Sequence, residues 1–133
     1  MRLLAVNSVV LDASALLAVL NNEPGADKLT PELLSKATSS TVNLAEVQTK
    51  LVSEGGNPDE AWEDALSPIR EATPFTIEHA RVAGSLVIHT RSLGLSLGDR
   101  ACLALGLLLK APVYTADKSW KNLKLGLQIY VIR

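Results

Sequence analysis

Ala101 to Leu109 is an unbroken apolar run, closed by Lys110. It is far too short to cross a membrane, which takes about 20 residues. Ser96-Leu97-Gly98-Asp99 in front of it has the spacing of a capping box. The run therefore predicts a helix that is apolar on nearly all sides, and such a helix belongs in the centre of a fold. A central helix needs a layer to pack on. Ser8-Val9-Val10-Leu11 supplies a candidate: a short, β-branched apolar run that ends abruptly at Asp12, as a buried strand does. Pro112-Val113-Tyr114-Thr115 reads the same way and ends near Asp117.

The segments between these runs alternate. Ala13 to Leu20 is Ala/Leu-rich and helical, and Glu23-Pro24-Gly25 breaks it. Thr30-Pro31-Glu32 is a helix start with Thr30 as N-cap. Thr38 to Ser40 is a second short strand, polar in composition. Thr41 to Glu54 is a helix with Leu44, Val47 and Leu51 on one face, stopped by Gly55-Gly56. Asn57-Pro58-Asp59-Glu60 starts another helix, with acids where the macrodipole favours them. Ile69 to Phe75 reads as an edge strand, because Pro74 cannot donate to a ladder. Thr76 to Ser92 reads as one long helix with Ile77, Ala80, Ala83 and Val87 inward. Leu127 to Ile132 is a last strand. Alternation of this kind predicts an α/β domain whose mainly parallel sheet is covered on both faces.

The chain has 133 residues, the size of one domain. It carries 13 Lys and Arg against 14 Asp and Glu, a net charge of -1. That excludes a cationic nucleic-acid coat, so any grip on phosphate comes from a local patch or a bound cation. Cys102 is the single cysteine, which fits a reducing compartment. Asn7, Ser8 and Asp12 interrupt the faintly signal-like N-terminus. The expectation is a soluble cytoplasmic protein.

In an open parallel sheet, ligands collect at the carboxyl ends of the strands. Asp12 ends the first strand, Asp117 lies just past the fourth, Asp99 opens the buried helix, and Glu46 lies in the helix after the second strand. Carboxylates gathered in one pocket repel, and a cation holds them together. An all-oxygen set suits Mg²⁺ or Mn²⁺. Each acid also has a plainer role open to it. Asp12 and Asp117 can cap the elements next to them in the chain. Asp99 can be the reciprocal partner of Ser96, and Glu46 can pair with Lys50 one turn on.

Together the motifs resemble a known family. Val9-Val10-Leu11-Asp12-Ala13-Ser14-Ala15-Leu16-Leu17 with Asn22-Glu23-Pro24-Gly25 is similar to the opening of a PIN domain of the VapC toxin type. Asn43-Leu44-Ala45-Glu46-Val47 resembles that family's acidic helix. Leu95 to Ala104 and Pro112 to Trp120 resemble its third and fourth acidic motifs. The likeness covers the whole chain, residues 1–133, as a single PIN domain. Gly98 and Gly106 stand where alanine is commoner, and Met1 to Ser8 is a slightly long lead-in. The expectation is that these departures touch no carboxylate.

The resemblance implies a PIN-like three-layer sandwich around a five-stranded sheet of order 3-2-1-4-5. It implies a metal-dependent endoribonuclease, a homodimer, and a cognate VapB-like antitoxin. Asp12, Asp99 and Asp117 would ligate Mg²⁺ or Mn²⁺ and Glu46 would complete the pocket, so that a water attacks the phosphorus in line. Ser14 and Thr115 would position metal or phosphate, or else serve local capping. The groove of the first helices, with Leu16, Leu17 and Leu20, would receive an antitoxin helix unless this protein's own core consumes those leucines.

Other residues are read more plainly. His79 and His89 have no metal-pair spacing. Cys102 is an inert core residue, and Trp62 and Trp120 are packing anchors. Arg91, Arg100, Lys110, Lys118, Lys121 and Lys124 form either a phosphate-guiding patch or an ordinary solvated face. A housekeeping RNA-processing nuclease of the same fold is the alternative function. A non-enzymatic phospho-acceptor receiver domain is a remote one, since no strand-ending acid pair follows its pattern.

Overall fold

The computed structural model describes residues 7–133, so most of the lead-in Met1 to Ser8 lies outside it. Five strands form one sheet, β1 (Val9–Leu11), β2 (Ala37–Ser40), β3 (Glu71–Thr73), β4 (Val113–Thr115) and β5 (Ile129–Val131). Their order is 3-2-1-4-5 and every pairing is parallel, as the sequence predicts. β1 is central, and its Val10 is in register with Thr38 on one side and Val113 on the other.

Two cores flank the sheet. On one face, α1 (Ala13–Asn21), α2 (Pro31–Leu34), α3 (Thr41–Ser53) and α4 (Pro58–Leu66) pack around Leu11, Leu16, Leu44 and Val47. On the other, α7 (Leu97–Leu109) packs with α5 (Ile77–Ser85) around Val10, Leu103, Leu105, Val113 and Trp120. Residues 101–106 of α7 are all buried, which is the central helix that the apolar run demands.

β2 is polar and yet wholly buried. Its hydroxyls satisfy one another and the backbone. Ser39 donates to the Leu11 carbonyl at 2.8 Å, Thr38 and Thr73 share a 2.6 Å bond, and Ser40 accepts from the Val42 amide. Hydroxyls so paired lose little on burial.

The long helix expected over Thr76 to Ser92 is instead broken. α5 ends at Ser85, α6 spans Val87–Thr90, and a 3₁₀ turn spans Arg91–Leu93. Gly84 weakens the helix, and the Thr90 hydroxyl bonds back to the Leu86 carbonyl at 3.0 Å. The inward face is also different. Ile77 is 91% exposed, while His79, Ala83, Leu86 and Thr90 are buried. Ile77 falls at the first helical position, before α5 turns its face to α7. His79 packs edge-on against Phe75.

Candidate active site

The carboxyl ends of β1 and β4 lie side by side, and each hands the chain to a capping acid. Asp12 caps α1, taking the Ala15 amide on Oδ1 at 2.8 Å. It is 4% exposed. Ser14 Oγ also donates to Oδ1, at 2.7 Å, and Thr115 Oγ1 donates to Oδ2 at 2.6 Å. Those two hydroxyls are themselves fixed by backbone amides, Ser14 by Ala116 and Thr115 by Asp117. They lie 3.2 Å apart, but each spends its proton on Asp12. Capping and site geometry are thus the same set of bonds.

Burial pushes the Asp12 carboxyl up to about 6, with the hydrogen bonds from Thr115, Ala15 and Ser14 opposing the rise and Asp99 adding to it. Asp99 opens α7 and completes the capping box. Its Oδ2 accepts from the Ser96 amide at 2.9 Å, and its own amide donates to Ser96 Oγ at 3.1 Å. From that position its charge acts on both Asp12 and Glu46.

Glu46 does not pair with Lys50, which bonds Glu54 instead. Its carboxyl is held up by partial burial, against a 2.8 Å hydrogen bond from Asn43 Nδ2, and by Asp99. Asn43 is buried and also donates from Nδ2 to the Gly98 carbonyl at 3.0 Å. Its Oδ1 is buried without a partner. Gly98 is the surface on which the Glu46 carboxylate rests, because a Cβ there would overlap it. This corrects the expectation that the glycine departures touch no carboxylate. Gly106 faces Val113 instead.

Cys102 lies beneath the pocket. Burial first, then the charges of Asp12, Asp99 and Glu46, hold its thiol well above its usual range, so it stays protonated and inert. The charges of three of the acids thus reach one buried sulfur.

Asp117 is the outlier. It is exposed and caps the 3₁₀ turn Lys118–Asn122 by accepting the Ser119 amide at 2.9 Å. Its link to Asp12 runs through the Thr115 hydroxyl. Among the described residues, no group of three His, Cys, Asp or Glu side chains is tight enough to grip an ion. The chemistry of the donor set nevertheless fits a hard divalent cation. It is all oxygen, it is acid-rich, burial holds the Asp12 and Glu46 carboxyls up, and the buried Asn43 Oδ1 is left unpaired.

The sequence reading missed Asn43 as a support of Glu46. The signal was available, since residues i and i+3 share a helix face. Arg100 is withdrawn from the phosphate patch: its Nη1 ties α7 to the Ala83 carbonyl of α5 at 2.9 Å.

The fold is an α/β domain with a parallel sheet of this order, and with Asp99 in electrostatic reach of both Asp12 and Glu46. The PIN domain family model matches residues 9–125, and the chain belongs to that family. No curated protein matches the chain. The fold is similar to that of DNA-bound VapBC from Salmonella typhimurium, at 16% identity and a TM-score of 0.73, covering 96% of this chain and 99% of that one. VapBC2 from Rickettsia felis bound to a promoter DNA fragment gives 21% identity and 0.68, over 91% and 96%. Mycobacterium tuberculosis VapC20, described as a sarcin-ricin loop cleaving toxin, gives 18% and 0.68, over 91% and 99%.

Proposed function

We propose that this chain, acting as one domain over residues 1–133, is a Mg²⁺- or Mn²⁺-dependent endoribonuclease and the toxin of a toxin–antitoxin pair. The observation that carries the reading is Asp12. A buried carboxylate, fixed on both oxygens by hydroxyls and pressed by Asp99, is far more than a helix cap requires. The names of the similar structures, VapBC complexes and an RNA-cleaving toxin, point the same way.

Asp12 and Asp99 would hold the cation, with Glu46 and Asp117 closing the pocket. When bound, the ion supplies positive charge against the scissile phosphate and makes the attacking water more acidic. Ser14 and Thr115 act as positioning residues. By donating to Asp12 they fix the direction in which its free lone pairs point. Asn43 does the same for Glu46, and Gly98 keeps the space that Glu46 occupies.

The partner would be a VapB-like antitoxin. Leu17 and Leu20 on α1 remain only partly buried, so the core does not wholly consume that helix face, and an amphipathic helix could cover it. An antitoxin arginine could pair with the acids in place of the cation. The working form would be a homodimer in the cytoplasm; among the described residues no helix is long and apolar enough to cross a membrane.

Two assays test the reading. Purified protein incubated with RNA should cleave it in Mn²⁺ and stop in EDTA. Induced expression should arrest growth and leave mapped RNA ends at discrete sites. Cleavage that persists in EDTA overturns the metal dependence, and intact RNA with unimpaired growth overturns the toxin assignment.

A further inference from the structure

Beside the acidic pole lies a surface of the opposite character. Tyr114 on β4 and Tyr130 on β5 are register partners, so their side chains share one face of the sheet. Their rings stack with centroids 5.0 Å apart and 28° between planes. Tyr114 leans on the core, whereas Tyr130 is 44% exposed. They line a groove of about 690 Å³, together with Lys28, Lys118 and Lys121. That volume falls within the roughly 300–1,000 Å³ of ligand clefts.

The charges of the groove are unbalanced. Among the described residues, these three lysines have no ion-pair partner. Arg133, also in the wall, is paired with Glu23 at 3.4 Å. Past the same tyrosines the surface continues toward the amino ends of the strands, where Lys36 and Lys110 face a single acid, Glu32. In a chain of net charge -1, this is a local concentration of cations around an open aromatic pair. The groove also borders Asp117, which caps the turn that carries Lys118 and Lys121.

We infer that this groove seats an unpaired segment of the RNA substrate, with a base stacked on Tyr130 and phosphates on Lys28, Lys118 and Lys121, so that the strand is led to the acids at Asp117. The inference rests on the nuclease reading. A basic track with interleaved aromatics binds single strands with little regard to sequence, because every base has a stacking face. The acidic pocket repels RNA on its own, so the flanking lysines give the substrate its hold.

The test is fluorescence anisotropy of a short unstructured oligoribonucleotide in EDTA, where binding is read without cleavage. Tyr130→Ala should weaken binding about fivefold or more, and Tyr130→Phe should retain it. Lys28→Ala with Lys121→Ala should lower the slope of log affinity against log salt by about 1.4. In Mn²⁺ both variants should raise KM for long RNA and leave kcat unchanged. Wild-type RNA cleavage is the control for the nuclease reading itself; if it is absent, both readings fall. If the wild type cleaves and Tyr130→Ala binds RNA as tightly as wild type, the groove inference alone is overturned. It is overturned equally if Tyr130→Ala changes oligomeric mass or antitoxin capture while RNA affinity holds, since the groove is then a protein-binding face.

Discussion

Asp12 and Asp117 stand at the ends of adjacent parallel strands, and each caps the helical turn that comes next in the chain. One is buried, receives three donors, and has its carboxyl pushed up to about 6. The other is exposed and receives one backbone amide. The difference comes from the neighbours. β1 is central and hands Asp12 directly to α1, while Asp117 lies two residues past β4 on an exposed turn. Two residues with the same local pattern thus end in different surroundings. Asp12 is held on both oxygens before any ligand arrives, whereas Asp117 is held by a single amide on an exposed turn.

The largest effect that could break this comparison is at Asp12. Asp12→Asn should cut RNA cleavage by more than about 100-fold, beyond the usual cost of losing a supporting group around a metal. Circular dichroism should be unchanged, because Asn caps as well as Asp. Activity near wild type would return Asp12 to a cap alone.

Its pH behaviour is the next test. The folded carboxyl holds its proton up to about 6 against an ordinary value of 3.8, so the folded state binds more protons than the unfolded chain in between. In EDTA, stability should fall as pH rises through that window, by about 3 kcal/mol in all. Asp12→Asn should flatten the fall. Chemical denaturation at pH 4 and pH 7 reads both, and a stability that is the same at the two pH values would contradict the buried-acid assignment.

Asp117→Asn sharpens the contrast. Cleavage should drop by about 10- to 100-fold, less than at Asp12. An equal collapse of activity at the two positions would erase the contrast.

The smallest effect is at Gly98. Gly98→Ala should displace the Glu46 carboxylate and lower kcat about 10-fold. Stability should hold or rise, since alanine is the better helix former. Unchanged kcat would mean that Glu46 has no fixed place in the reaction.

Much of the fold is legible because burial writes itself into composition. β1, β4 and α7 are apolar runs bounded by capping residues. β2 is harder, since Ser39 and Thr38 satisfy their hydroxyls with partners distant in sequence, Leu11 and Thr73. The break after Ser85 is invisible to a periodicity that continues through it. At the site, the element-boundary positions of Asp12, Asp99 and Asp117, and the place of Glu46 within its helix, can be read from sequence. Their inequality cannot, because it depends on which strand is central and on hydroxyls that reach across the sheet, as Thr115 does to Asp12. The role of Gly98 is hidden for the same reason: what a missing Cβ makes room for is known only once α3 and α7 are packed.

On the proposed reading, these acids form one cation site organised by Asp12. Calorimetric titration of Mn²⁺ into the wild type, Asp12→Asn and Asp99→Asn tests it most directly. Binding to the wild type should be saturable, and at least about 10-fold weaker in each variant. Equal affinity across the three proteins, or no binding to the wild type, would contradict it.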